Sequence, residues 1–144
     1  MGPGSPTYAV KHLMNTKTLQ TIIEQVKKGT TLILASAATI AFSHMALPVY
    51  EIYKVGEDLN WQHGLDLYSH VWQKVTIIPH FNNREGGEHL DTTHCYIGKN
   101  RFDKLRSMLP KDEVVYGIDE HTALIVDLSS QDTLVKGKGG ARIS

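Results

Sequence analysis

The chain has 144 residues, with 15 Lys plus Arg against 15 Asp plus Glu and 41% hydrophobic residues. That length suits one domain, and the balanced charge supplies no basic field for nucleic acid or an anionic membrane surface. The single cysteine, Cys95, rules out an internal disulfide and makes a cytosolic location the expectation.

Asn15 to Lys28 reads as an amphipathic helix. Leu19, Ile22, Ile23 and Val26 repeat at helical spacing, and Asn15 or Thr16 can cap it. Thr31 to Ala35 is a short continuous apolar run, the pattern of a buried parallel strand. Its neighbour Ser36 precedes the small residues Ala37 and Ala38, which suit a helix packed close to a sheet. The stretch from Val49 to Leu67 is irregular and rich in Tyr and Trp. Val75 to Pro79 is the next buried-strand candidate, with His80 just beyond it. A polar loop follows from Asn82 to Thr93, then a helix over Lys99 to Leu109. Glu113 to Ile118, Ala123 to Leu128, Thr133 to Lys136 and Ala141 to Ile143 read as closing strands. The predicted fold class is therefore α/β, with a mostly parallel sheet, flanking helices and a short antiparallel C-terminal portion.

Two positions stand out chemically. A serine between a strand and a helix has the setting of a nucleophile elbow, where a sharp turn exposes the hydroxyl. The plain alternative is a helix N-cap. A histidine ending another strand can reach the same sheet edge and serve as base, or can be an ordinary loop residue. A carboxylate should then orient the imidazole, and Glu51, Glu57, Asp119 and Glu120 are the candidates. Glu85, Glu88, His89 and His94 match no firm zinc spacing, so a hydrated loop is the reading there. Cys95 reads as a half-buried structural thiol, and the tyrosines and tryptophans as core or groove lining.

Four stretches occur in a telling order: Gly2-Pro3-Gly4-Ser5-Pro6-Thr7, Ala35-Ser36-Ala37-Ala38, Pro79-His80-Phe81-Asn82 and Gly117-Ile118-Asp119-Glu120-His121. Together they resemble the aspartyl dipeptidase and cyanophycinase family of serine peptidases, which share the class I glutamine amidotransferase-like fold. Uncharacterised bacterial proteins of that superfamily are the nearest likeness. The resemblance implies Ser36 as nucleophile, His80 as base, and Glu120 or Glu51 as the acidic partner. It implies an oxyanion hole near Gly4 and Ala37, and a substrate contact at Asn82. It implies a small peptide or amide substrate and no cofactor or metal.

The chain departs from the family at two points. The elbow glycines are replaced by Leu34 and Ala38. The βα units that precede the glycine loop in the family have no counterpart here. An open sheet edge is the expected consequence, met by a homo-oligomer or by a separately encoded N-terminal half. The competing expectation for function is a degenerate or partial module acting in assembly or ligand binding.

Overall fold

The computed structural model describes residues 1–144. Helix α1 (Pro6–Leu13) starts with Ser5 as cap and a proline in its first turn, where the missing N–H costs nothing. Helix α2 (Lys17–Lys27) is capped by Thr16, whose side chain accepts from the Leu19 N–H. The short α3 (Ala37–Ala41) is buried along its whole length. Strand β1 (Met45–Ala46) pairs antiparallel with β2 (Gln62–His63), and a turn of π-helix spans Glu51–Val55 between them. After α4 (Leu67–Val71) comes β3 (Val75–Ile78), buried at every position. Helix α5 (Lys99–Met108) leads to β4 (Val114–Ile118), β5 (Thr122–Val126), β6 (Thr133–Gly137) and β7 (Ala141–Ile143).

The predicted mostly parallel sheet with flanking helices does not form. The strands lie instead in three small sheets, β1-β2, β3-β4-β7 and β5-β6. Only β3 and β4 run parallel, in the register Val75 to Val114 through Ile78 to Gly117. The other three pairings are antiparallel. Two physical causes stand behind the difference. Thr31–Ala35 has the composition of a central strand but no ladder partner along its length. Apart from the Ala38 N–H of the α3 turn that follows it, its only backbone links are Met1 N–H to the Ile33 carbonyl at 2.8 Å and Ala35 N–H to the Met1 carbonyl at 3.0 Å. In the C-terminal region β5 and β6 pair as a hairpin, and β7 returns antiparallel onto β4.

The core gathers Ile40, Phe42 and Leu47 with Ile78, Ile97, Phe102, Leu105 and Val115. Each such side chain contributes about 1.5–3 kcal/mol of burial. One polar knot forms around a buried carboxylate. The buried Glu113 carboxylate accepts from Thr76 Oγ1 at 2.7 Å and from His44 Nδ1 at 2.9 Å, with Lys74 Nζ at 3.5 Å. Paired this way, the charge avoids the full cost of desolvation. No helix is long and apolar enough to cross a membrane.

Candidate active site

Ser36 lies at the turn between Thr31–Ala35 and α3. Its backbone holds φ 52° and ψ −119°, a region rarely visited by a residue with a Cβ. The turn forms with Leu34 and Ala38 in the elbow positions. The hydroxyl does not cap α3; its Oγ sits 3.0 Å from His80 Nε2.

His80 follows β3 and Pro79, with φ 53°. Its placement depends on β4 next door. Phe81 N–H donates to the Ile118 carbonyl at 3.0 Å, and the Phe81 ring lies directly over Gly117. Any Cβ at Gly117 would collide with that ring, so glycine there lets the His80 turn settle on the sheet.

Glu120 comes just after β4 and brings Oε1 to 3.1 Å from His80 Nδ1. With the Nδ1 proton donated to Glu120, Nε2 is free to accept from the serine hydroxyl. Asn83 Nδ2 donates to the same carboxylate oxygen at 2.6 Å. The Asn83 bond first, and then His80, hold the Glu120 carboxyl below its ordinary range, against the opposing effect of burial. Asn82 Oδ1 accepts from the Glu120 backbone N–H at 2.8 Å. The side chain expected to touch substrate is thus engaged in holding the loop that carries Glu120.

Glu51 is placed elsewhere. Its Oε1 accepts from Thr7 Oγ1 at 2.5 Å, and its buried Oε2 has no partner. The hydrogen bond to His80 Nδ1 belongs to Glu120. Ala37 N–H, directly after Ser36, makes no backbone hydrogen bond and stays available. Gly4 is exposed, three residues on from the Met1 carbonyl that meets Ala35. Asp119, weighed as a further acid, is turned away toward the Gly140 N–H at 2.9 Å and the Arg142 guanidinium.

The polar loop gathers no group of three or more His, Cys, Asp or Glu able to hold a metal ion. His94 lies stacked on Phe102 with ring centroids 4.7 Å apart, and Glu85 accepts from the Tyr96 hydroxyl at 2.9 Å. Cys95 is buried, and burial pushes its thiol up to about 12, which leaves it unreactive. A cleft of about 300 Å³ opens in this loop and includes Asn83, but neither Ser36 nor His80 lines it.

Two site neighbours escape sequence reading. Asn83 is fully buried, yet nothing in the Asn82-Asn83 pair says which amide turns inward. Tyr96, whose ring centroid is 5.9 Å from that of His80, belongs to a backbone turn with no sequence signal.

No protein-family model matches the chain. No curated protein matches it either. Among solved structures, it is similar to the crystal structure of a peptidase from an acI-B1 Actinobacterium, with a TM-score of 0.67 and 24% sequence identity. The match covers 99% of this chain and 50% of that one, so the chain spans about half the length of its structural relative. The likeness is one of fold, shared with about half of that structure.

Proposed function

We propose that the chain is a serine hydrolase of the peptidase or amidase type, akin to the aspartyl dipeptidase and cyanophycinase family. Ser36 is its nucleophile, His80 its base and Glu120 the residue that orients His80. The carrying observation is the continuous relay from Ser36 Oγ to His80 Nε2 at 3.0 Å and from His80 Nδ1 to Glu120 at 3.1 Å. The strained Ser36 backbone supports the same reading, because such conformations persist where the surroundings over-determine them.

Ser36 Oγ attacks the amide carbonyl carbon while its proton passes to His80 Nε2. The carbonyl oxygen becomes an oxyanion, and the free Ala37 N–H is the nearest donor in sequence to receive it, with Gly4 the second candidate. His80 then gives its proton to the departing amine as the C–N bond breaks. Water enters, loses a proton to His80 and attacks the acyl-serine, which releases the acid and restores Ser36. Glu120 stays ionised throughout and stabilises the imidazolium. A small peptide or amide is the substrate class.

The test is covalent labelling by a fluorophosphonate. Wild type should be modified at Ser36, Ser36→Ala should not, and Glu120→Gln should slow labelling on the order of 10⁴-fold. Folded wild type that resists the reagent would sink the hydrolase reading. A second reading, a non-catalytic module acting in assembly or ligand binding, draws on Leu34 and Ala38 in place of glycines and on the open edge at Ile33, and that same outcome would favour it.

A further inference from the structure

Two unusual backbone segments meet at Tyr96, beside His80. His94, Cys95 and Tyr96 are consecutive, none is glycine, and all have positive φ, at 55°, 58° and 67°. Each such residue costs about 1–2 kcal/mol relative to the right-handed form. The turn is held all the same: His94 N–H donates to the Phe81 carbonyl at 3.0 Å, and Cys95 N–H to the His80 carbonyl at 3.2 Å. Its effect is to set the Tyr96 ring against the His80 imidazole, with centroids 5.9 Å apart. The second segment is the π-helical turn Glu51–Val55, a rare conformation that recurs at functional sites. It brings Tyr53 to Tyr96, with ring centroids 5.6 Å apart. The Thr7 hydrogen bond to Glu51 fastens that turn to α1.

The geometry points to Tyr96, backed by Tyr53, as the wall of a subsite for the substrate side chain beside the reacting carbonyl. It selects an aromatic or bulky aliphatic group. This inference rests on the hydrolase reading and adds a substrate preference to it. Tyr96 is half-buried and lies beside His80, the partner of Ser36. Its hydroxyl is already committed to Glu85 at 2.9 Å. What remains to meet a ligand is therefore ring surface, which favours apolar and aromatic contact. The carboxylates of Glu85 and Glu120 both act on this tyrosine, so an acidic side chain placed there meets like charge.

The experiment has two arms. In the first, Ser36 labelling rates are compared for an ethyl and a benzyl fluorophosphonate. Wild type should favour the benzyl reagent about 10-fold, within the range that hydrophobic pockets achieve. Tyr96→Ala should abolish that preference by slowing the benzyl reagent about 10-fold more than the ethyl reagent. Tyr96→Phe keeps the ring and should keep the preference. Equal losses with both reagents would reduce Tyr96 to a support for His80 and overturn the subsite. In the second arm, Ser36→Ala protein is titrated with N-acetyl-phenylalaninamide, N-acetyl-glycinamide and N-acetyl-aspartamide. The Tyr96 and Tyr53 ring resonances are followed by NMR, with Tyr→Phe variants for assignment. Only the phenylalanine compound should move them. This arm needs no reactivity at Ser36, so failure of the hydrolase reading and failure of the subsite show up separately. Unmoved rings, or equal shifts with all three compounds, would overturn the inference.

Discussion

Two apolar runs each end in a residue of the candidate site, and they look alike in sequence. Thr31–Ala35 leads to Ser36, and Val75–Ile78 leads to Pro79 and His80. In the structure they differ sharply. β3 is buried at all four positions, paired along one edge with β4. Along its length it also meets His44 N–H, which donates to the Val75 carbonyl at 3.0 Å, and Ser43 Oγ, which accepts from Ile77 N–H at 2.9 Å. Thr31–Ala35 alternates between exposed and half-buried, Ile33 is 75% exposed, and Met1 is its one hydrogen-bonded neighbour from another segment. A buried strand is a property of its neighbours as much as of its own residues. For the site, the consequence is an asymmetry. His80, the proposed base, is carried by a strand locked into the core, whereas Ser36, the proposed nucleophile, is held by its own turn, by α3 and by His80.

The largest expected effect breaks the supported side. Ile78 has no exposed surface and packs in the central cluster. Ile78→Ala should cost about 2–5 kcal/mol, the sum of lost transfer energy and an imperfectly filled cavity. Denaturant melts against wild type measure it directly. A loss near zero would mean that β3 is no better supported than the run before Ser36.

How much of this was legible in the sequence depends on where the information sits. Ser36 and His80 follow directly on apolar runs and Glu120 lies one residue past another, so their positions at element ends were readable. The choice between Glu120 and Glu51 was not, because it turns on the Thr7 hydroxyl and the Asn83 amide, far away in the chain. Helix α1 carried local signals, Ser5 as cap and Pro6 in the first turn, yet the likeness of that stretch to a glycine loop pointed elsewhere. The mostly parallel sheet failed as an expectation for the reason just given: Thr31–Ala35 and Val75–Ile78 have the same local pattern, and only tertiary neighbours tell them apart. The left-handed turn at His94–Tyr96 has no glycine to announce it.

A middle-sized effect sharpens the account of the base side. Asn83 is fully buried, donates to Glu120 and accepts from the Glu85 N–H at 3.1 Å. Asn83→Ala should cost about 1–3 kcal/mol by leaving these groups unpaired. The sign of the pH effect follows from the lowered Glu120 carboxyl. Its contribution is fully present above the unfolded-state value and is lost as pH falls through the lower folded-state value. Without Asn83 the folded value rises toward normal, so the contribution shrinks and its loss begins at higher pH. An NMR titration of the Glu120 carboxyl carbon in both proteins reads the shift; an unchanged midpoint would mean that Asn83 does not hold the charge.

The smallest expected effect tests the unsupported side. Ile33 keeps most of its side chain in water, so removing it forfeits little burial and leaves no cavity. Ile33→Ala should change stability by no more than about 0.5 kcal/mol, the range of ordinary surface substitutions. Hydrogen exchange should separate the same two runs. The Thr76 to Ile78 amides lie within the buried sheet, whereas the Leu32 to Leu34 amides have no backbone acceptor and should exchange far faster. Protection at Leu32 to Leu34 that matches β3 would show that in solution this edge is covered, as it would be by a second copy or another polypeptide laid along it. Such protection would have to vanish on dilution if the cover is a separate chain, and Ile33→Ala would then cost more in concentrated than in dilute protein. A small, concentration-independent effect with fast exchange is what the uncovered edge predicts, and it would leave Ser36 held by its turn, by α3 and by its hydrogen bond to His80.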